Sequence, residues 1–145
     1  STVLYGLEAG KYRLALKTPK DQIINVEYTR DKSKKKAAYK KSKAIHLKSD
    51  IDSIYTSTEK AARWYKVSVS STKKRKAVTL SKDSVGGGFK FCVYQKGKRL
   101  KTVKVTKNDK VKTVKLPKKK GAYYVKVTKL TSKTTGAYYL GTYTY

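Results

Sequence analysis

Gly121-Ala122-Tyr123-Tyr124-Val125-Lys126-Val127, a polar turn, then Gly136-Ala137-Tyr138-Tyr139-Leu140-Gly141-Thr142-Tyr143: this stretch decides the fold. Each half opens on Gly and continues with residues that suit a pleated surface. Side chains alternate across a strand, so Tyr123, Val125 and Val127 share one face, and so do Tyr138 and Leu140. Their neighbours Tyr124 and Tyr139 then point the other way. The pair reads as two strands joined by a turn, with inward tyrosines that belong to the core and outward ones free for other work.

The same grammar continues towards the N-terminus. Val111, Val114 and Leu116 form a strand before Pro117, and Leu100, Val103 and Val105 form another whose slipped period predicts a bulge. Phe89, Phe91 and Val93 alternate, followed by Gln95-Lys96-Gly97-Lys98 as a hairpin turn. Gly86-Gly87-Gly88 reads as a turn and lacks the Gly-Lys-Ser/Thr ending of a phosphate loop. Ala77 to Leu80 and Tyr65, Val67 and Val69 give two more strands, and Ile45, Leu47, Ile51 and Ile54 start the series. About eight strands thus follow residue 44, with turn signals every eight to twelve residues and no amphipathic helix pattern. The expected fold class is an all-β antiparallel sandwich or jelly roll over 44–145.

Two segments precede it. In residues 1–31, Gly10-x-Tyr12-x-Leu14-x-Leu16 lines up with Gly121-x-Tyr123-x-Val125-x-Val127, with Leu7 and Leu116 before the two glycines. Ile24-x-Val26-x-Tyr28 lines up with Tyr138-x-Leu140-x-Thr142. An N-terminal β-hairpin is expected, the tail of a preceding repeat. Residues 32–43, rich in lysine around Ala37-Ala38-Tyr39, read as a basic linker. With no Met and a start at Ser1, the chain reads as a processed or excised piece of a longer protein.

Lys and Arg number 37 against 9 acidic residues, a formal net charge of +28. Such a field attracts polyanions. Only Arg13, Arg30, Arg63, Arg75 and Arg99 are Arg. Forked recognition of phosphates or bases leans on Arg, so the Lys excess points to diffuse contacts, and nucleic acid is expected to bind only non-specifically. Candidate polyanion-binding residues are the runs Lys34, Lys35, Lys36, then Lys73, Lys74, Arg75, then Lys118, Lys119, Lys120. No apolar run is long enough to span a membrane.

Catalytic chemistry is hard to build. His46 is the sole His and Cys92 the sole Cys, and each reads as a strand position; a Cys–His dyad would need them adjacent in the fold. Asp50 and Asp52 are the nearest paired carboxylates, but Asp50 beside Ser49 reads as a turn residue. Asp50, Asp52 and Glu59 would have to hold calcium against the surrounding positive field. The expectation is no catalytic residue, no metal and no cofactor. The outward rings remain: Trp64, Tyr94, Tyr124 and Tyr139 form a candidate platform for stacking on sugars, or on bases where cations flank them.

Several of these strands together resemble the bacterial pre-peptidase C-terminal domain family. Arg63-Trp64-Tyr65-Lys66-Val67 is similar to its Asp-Trp-Tyr-x-Phe strand. Phe89-Lys90-Phe91-Cys92-Val93-Tyr94, with Lys96-Gly97-Lys98, is similar to its Leu-Asp-Leu-x-Leu-Tyr strand and Asn-Gly-Lys turn. Gly121 to Val127 and Gly136 to Leu140 are similar to its Gly-Thr-Tyr-Tyr-x-x-Val and Gly-x-Tyr-x-Leu ending. The likeness covers 44–145. It implies a non-catalytic accessory module of a secreted or cell-surface protein, beside other domains of the same chain. Arg63 and Lys90 replace the family's Asp, which speaks against any calcium role. On this reading the partner is an anionic cell-wall polymer or other extracellular glycan, with carbohydrate binding through the aromatic platform as the alternative.

Overall fold

A computed structural model describes residues 7, 10–27, 37–48, 51–55 and 61–145. Among the described residues nine strands follow one 3-10 turn at Lys41–Lys43: β1 Ile45–His46, β2 Ile51–Tyr55, β3 Arg63–Val69, β4 Lys76–Gly86, β5 Phe89–Gln95, β6 Lys98–Val105, β7 Val111–Lys115, β8 Gly121–Lys129 and β9 Thr135–Thr144. They form two sheets, ordered β1-β3-β8-β5-β6 and β2-β9-β4-β7. All pairings are antiparallel except the two-residue match of β1 with β3. This is the expected sandwich, one strand richer than the sequence count.

Alternation builds the core directly. Tyr65, Val67 and Val69 on β3, Tyr123, Val125 and Val127 on β8, and Phe89, Phe91 and Val93 on β5 line the inner face of the first sheet. Val78 and Leu80, Val114, Leu116, Tyr138 and Leu140 meet them from the second. A core this rich in tyrosine must satisfy its hydroxyls. Those of Tyr65 and Tyr138 bond each other across the sandwich. That of Tyr123 reaches the rim and donates to the carbonyl of Lys119 at 2.8 Å, so a core ring also holds the β7–β8 loop.

The turns follow from their residues. Lys96 and Gly97 both have positive φ, 48° and 76°, between the paired residues Gln95 and Lys98. A two-residue loop of that kind matches the twist of the strands it joins. The expected bulge is present: the β5–β6 register shifts between Val93, opposite Lys101, and Tyr94, opposite Arg99, leaving Leu100 as the extra residue.

The N-terminal segments differ from expectation. Residues 11–19 and 22–27 flank a turn at Lys20–Asp21, but neither forms a strand, and their apolar side chains are exposed. Among the described residues of 1–31 no strand ladder is formed. Tyr28 lies outside them. Residues 37–43, assigned to the linker, are docked: Ala38 is buried and its carbonyl accepts the N–H of Trp64 at 2.8 Å.

Candidate functional site

Strand directions bring three turns to one end of the sandwich. Val69 at the end of β3 pairs with Gly121 at the start of β8, and Gln95 at the end of β5 pairs with Tyr123. The N–H of Leu116 bonds the carbonyl of Lys76, and Arg75 and Tyr145 exchange both backbone bonds. The β3–β4, β5–β6 and β7–β8 connections and the C-terminus thus share one pole. They carry Lys73, Lys74, Arg75, Lys96, Lys118, Lys119 and Lys120, all exposed, and no acidic residue. Two of the three basic runs singled out in the sequence, 43 and more residues apart along the chain, meet here through topology. The third, Lys34 to Lys36, lies outside the described residues. A shallow cleft of about 320 Å³ opens beside the β3–β4 turn, between Val69, Lys73, Lys74 and Thr144. The Tyr143 and Tyr145 rings meet near it with centroids 5.7 Å apart and planes tilted by 44°, and Lys115 lies 5.3 Å over the Tyr145 ring.

The opposite pole carries an acid among its lysines. There Asp109 accepts from the backbone N–H and hydroxyl of Thr106, both at 2.8 Å, and pairs with Lys112 at 3.0 Å. The Thr106 hydroxyl and N–H, then Lys112, hold its carboxyl down to about 2.

The aromatic candidates divide between the two outer faces. Trp64, Tyr94 and Tyr124 share the outer face of the first sheet. Their rows are fixed by register: His46–Lys66–Tyr124–Tyr94–Arg99 runs straight across β1, β3, β8, β5 and β6. The next row reads Trp64–Lys126–Cys92–Thr102. Trp64 and Tyr94 touch with centroids 5.7 Å apart and planes tilted by 44°. Lys126 stands 5.5 Å over the Trp64 ring, and Lys41, carried in by the docked 37–43 segment, stands 4.7 Å over Tyr124. A cation above a ring is held by the ring's negative face. Partial burial pushes the Tyr94 phenol above its ordinary value, Cys92 adds to this, and the charge of Arg99 pulls it partly back. Tyr139 is not part of this group. It belongs to β9 and is exposed on the outer face of the other sheet, aligned with Asp52 and Ser81. Sequence reasoning missed Lys41, Lys66, Lys126 and Arg99 as companions of the rings. Alternation alone could have found Lys66 and Lys126, two residues from Trp64 and Tyr124 on the same strands.

His46 and Cys92 have β3 and β8 between their strands, so no dyad forms. Cys92 is buried, with its sulfur 3.4 Å from the Thr102 hydroxyl. Asp50 and Glu59 lie outside the described residues. Among the described residues no group of three metal-ligating side chains converges, and no helix is long and apolar enough to cross a membrane.

No family model matches the sequence, and no curated protein matches it. Solved structures do match. The chain is similar to the pre-peptidase C-terminal domain of collagenase from Bacillus anthracis, with a TM-score of 0.53 and 18% identity over 69% of this chain and 92% of that one. It also matches a family 35 carbohydrate binding module from an environmental isolate, with a TM-score of 0.44 and 17% identity over 61% of this chain and 70% of that one. At such identities the first likeness speaks to fold. The basic pole and the ring-bearing face are thus mounted on a β-sandwich with a fold like that of the pre-peptidase C-terminal domain.

Proposed function

We propose that the chain is a non-catalytic accessory module of a secreted or cell-surface bacterial protein, holding that protein against anionic wall or extracellular polymers by positive charge. The observation that carries this is the basic pole. Three turns converge there with seven exposed cations and no acid. After Glu59 the sequence holds only two acidic residues, Asp83 and Asp109. Six of the seven pole cations are Lys, compact and strongly hydrated charges suited to many interchangeable contacts. A glycan-binding reading through Trp64, Tyr94 and Tyr124 is favoured separately by the contact between the first two rings. Tyr139 contributes to neither surface.

The test is retention on a poly(glycerol phosphate) matrix as salt is raised. Binding should fall steeply, since each neutralised phosphate releases counterions. Replacing Lys73, Lys74, Lys119 and Lys120 by Glu should weaken binding by about ten-fold or more at low salt. Tight retention that persists in high salt, or that ignores these substitutions, would refute the proposal.

A further inference from the structure

The outer face of the first sheet interleaves rings and cations in a fixed array, and this points to a more defined ligand than a polyanion in general. We infer that this face is a binding site for an acidic polysaccharide, whose sugar rings lie on Trp64, Tyr94 and Tyr124 while its carboxylates meet Lys41, Lys66, Lys126 and Arg99. The inference rests on the polyanion reading above and gives it a second surface, distinct from the basic pole.

The array comes from register. In the row Lys66–Tyr124–Tyr94–Arg99 two rings sit between two cations. Strands lie about 4.8 Å apart, so this row spans about 14 Å. The neighbouring row offsets the pattern, with Trp64 beside Lys126. Every ring on the face therefore has a cation next to it; Lys41 and Lys126 lie over the Tyr124 and Trp64 rings in the free chain, and these long side chains must swing off the ring faces to meet carboxylates as a sugar takes their place. The side chains that outer-face alternation adds, Ser68, Lys90, Cys92, Thr102, Lys104, Ala122 and Thr128, include no acid. A neutral sugar would gain nothing from this many cations. A ringless polyanion would gain nothing from the tyrosines. A chain that alternates pyranose faces with carboxylates uses both. The rings are half-buried on a well-paired sheet between β3 and β6, so the rings themselves cost little to order on binding. Single-stranded nucleic acid also combines rings and charge. The single Arg in the array leaves few forks for reading base edges, so a nucleic acid would be held there without sequence preference, and oligo(dT) is the competitor that the test includes.

Trp64 is the only Trp in the chain, so its fluorescence reports on this face alone. The intact chain is titrated with alginate, dextran, polyphosphate and oligo(dT), following Trp64 emission alongside total binding by calorimetry. Alginate is expected to change the emission saturably. Dextran should not bind, and polyphosphate should bind without moving the emission. Tyr124→Ala should weaken alginate binding about ten-fold while leaving polyphosphate unchanged, a loss of the size seen when one stacking ring is removed. Lys126→Gln, which keeps every ring, should lower alginate affinity and its emission change together, so the test survives if Tyr124→Ala folds poorly. Alginate binding with unmoved Trp64 emission would overturn this inference and leave the charge-based function standing. Equal or tighter ring-dependent binding of oligo(dT) would overturn the choice of ligand. Failure of every polyanion to bind would remove both readings together.

Discussion

Residues 10–16 and β8 carry one pattern and meet opposite fates. Gly10-x-Tyr12-x-Leu14-x-Leu16 repeats Gly121-x-Tyr123-x-Val125-x-Val127. In β8 the three large side chains are 0% exposed; in the N-terminal segment Tyr12, Leu14 and Leu16 are 57%, 71% and 54% exposed. The second halves behave alike: Tyr138 and Leu140 of β9 are fully buried, Ile24 and Val26 are not. Alternation makes a segment competent to be a strand. It becomes a core strand only where neighbours accept its edges and a second sheet covers its face. β8 has β3 on one edge and β5 on the other, with the Tyr138 side of β9 opposite. No described strand pairs with residues 10–27.

Truncation of the leading tyrosine should separate the two segments most. Tyr123→Ala removes a fully buried ring, with its hydroxyl anchor on Lys119, and should cost about 3–5 kcal/mol. Tyr12→Ala should stay within about 0.5 kcal/mol. Urea unfolding followed through Trp64 measures both. A Tyr12→Ala loss as large as that of Tyr123→Ala would break the comparison, since it would mean that the N-terminal segment is packed.

The leading glycines sharpen it at a smaller scale. Gly121 has φ 138°, a conformation that side chains with a Cβ rarely adopt, and an added methyl would stand 3.1 Å from the Gln95 amide nitrogen. Gly121→Ala should therefore destabilise by about 1–3 kcal/mol. Gly10 needs no such conformation, and the nearest atoms to a methyl there belong to the Tyr12 side chain, at an ordinary 3.7 Å. Gly10→Ala should leave the unfolding midpoint unchanged. Equal effects at the two glycines would show that the conformation at Gly121 carries no special demand.

This contrast also marks what the sequence could and could not disclose. The inward sets of β3, β5, β8 and β9, the Lys96–Gly97 hairpin and the bulge at Leu100 were legible because each depends on neighbours a few residues away. Membership of a sheet was not. β8 and β9 are consecutive and nearly identical at their starts, yet they lie in opposite sheets. Tyr124 and Tyr139 are therefore outward on opposite sides of the molecule, and a four-ring platform cannot form. Alternation gives the sign of a side chain's direction but not the layer to which it refers. The meeting of the 73–75 and 118–120 runs, and the arrival of Lys41 over Tyr124, depend on long-range pairing in the same way.

The turns extend the comparison to its smallest effect. Asp109 closes the β6–β7 turn against Thr106 and Lys112, and its carboxyl is lowered to about 2. A carboxyl lowered by folding stabilises the native state when ionised. That contribution is complete above the unfolded value near 4 and is lost as pH falls through about 2. Asp109 is solvent-exposed as a titrating group, so screening keeps the contribution small. Asp109→Asn should slightly lower the thermal midpoint at neutral pH and flatten its decline between about pH 4 and 2. Asp21, at the turn of the N-terminal segment, closes no ladder, and Asp21→Asn should shift neither the midpoint nor the acid limb. If Asp21→Asn flattened that limb as Asp109→Asn does, residues 10–27 would share the cooperative unit of the sandwich, and the difference between the two Gly-x-Tyr segments would be one of exposure alone.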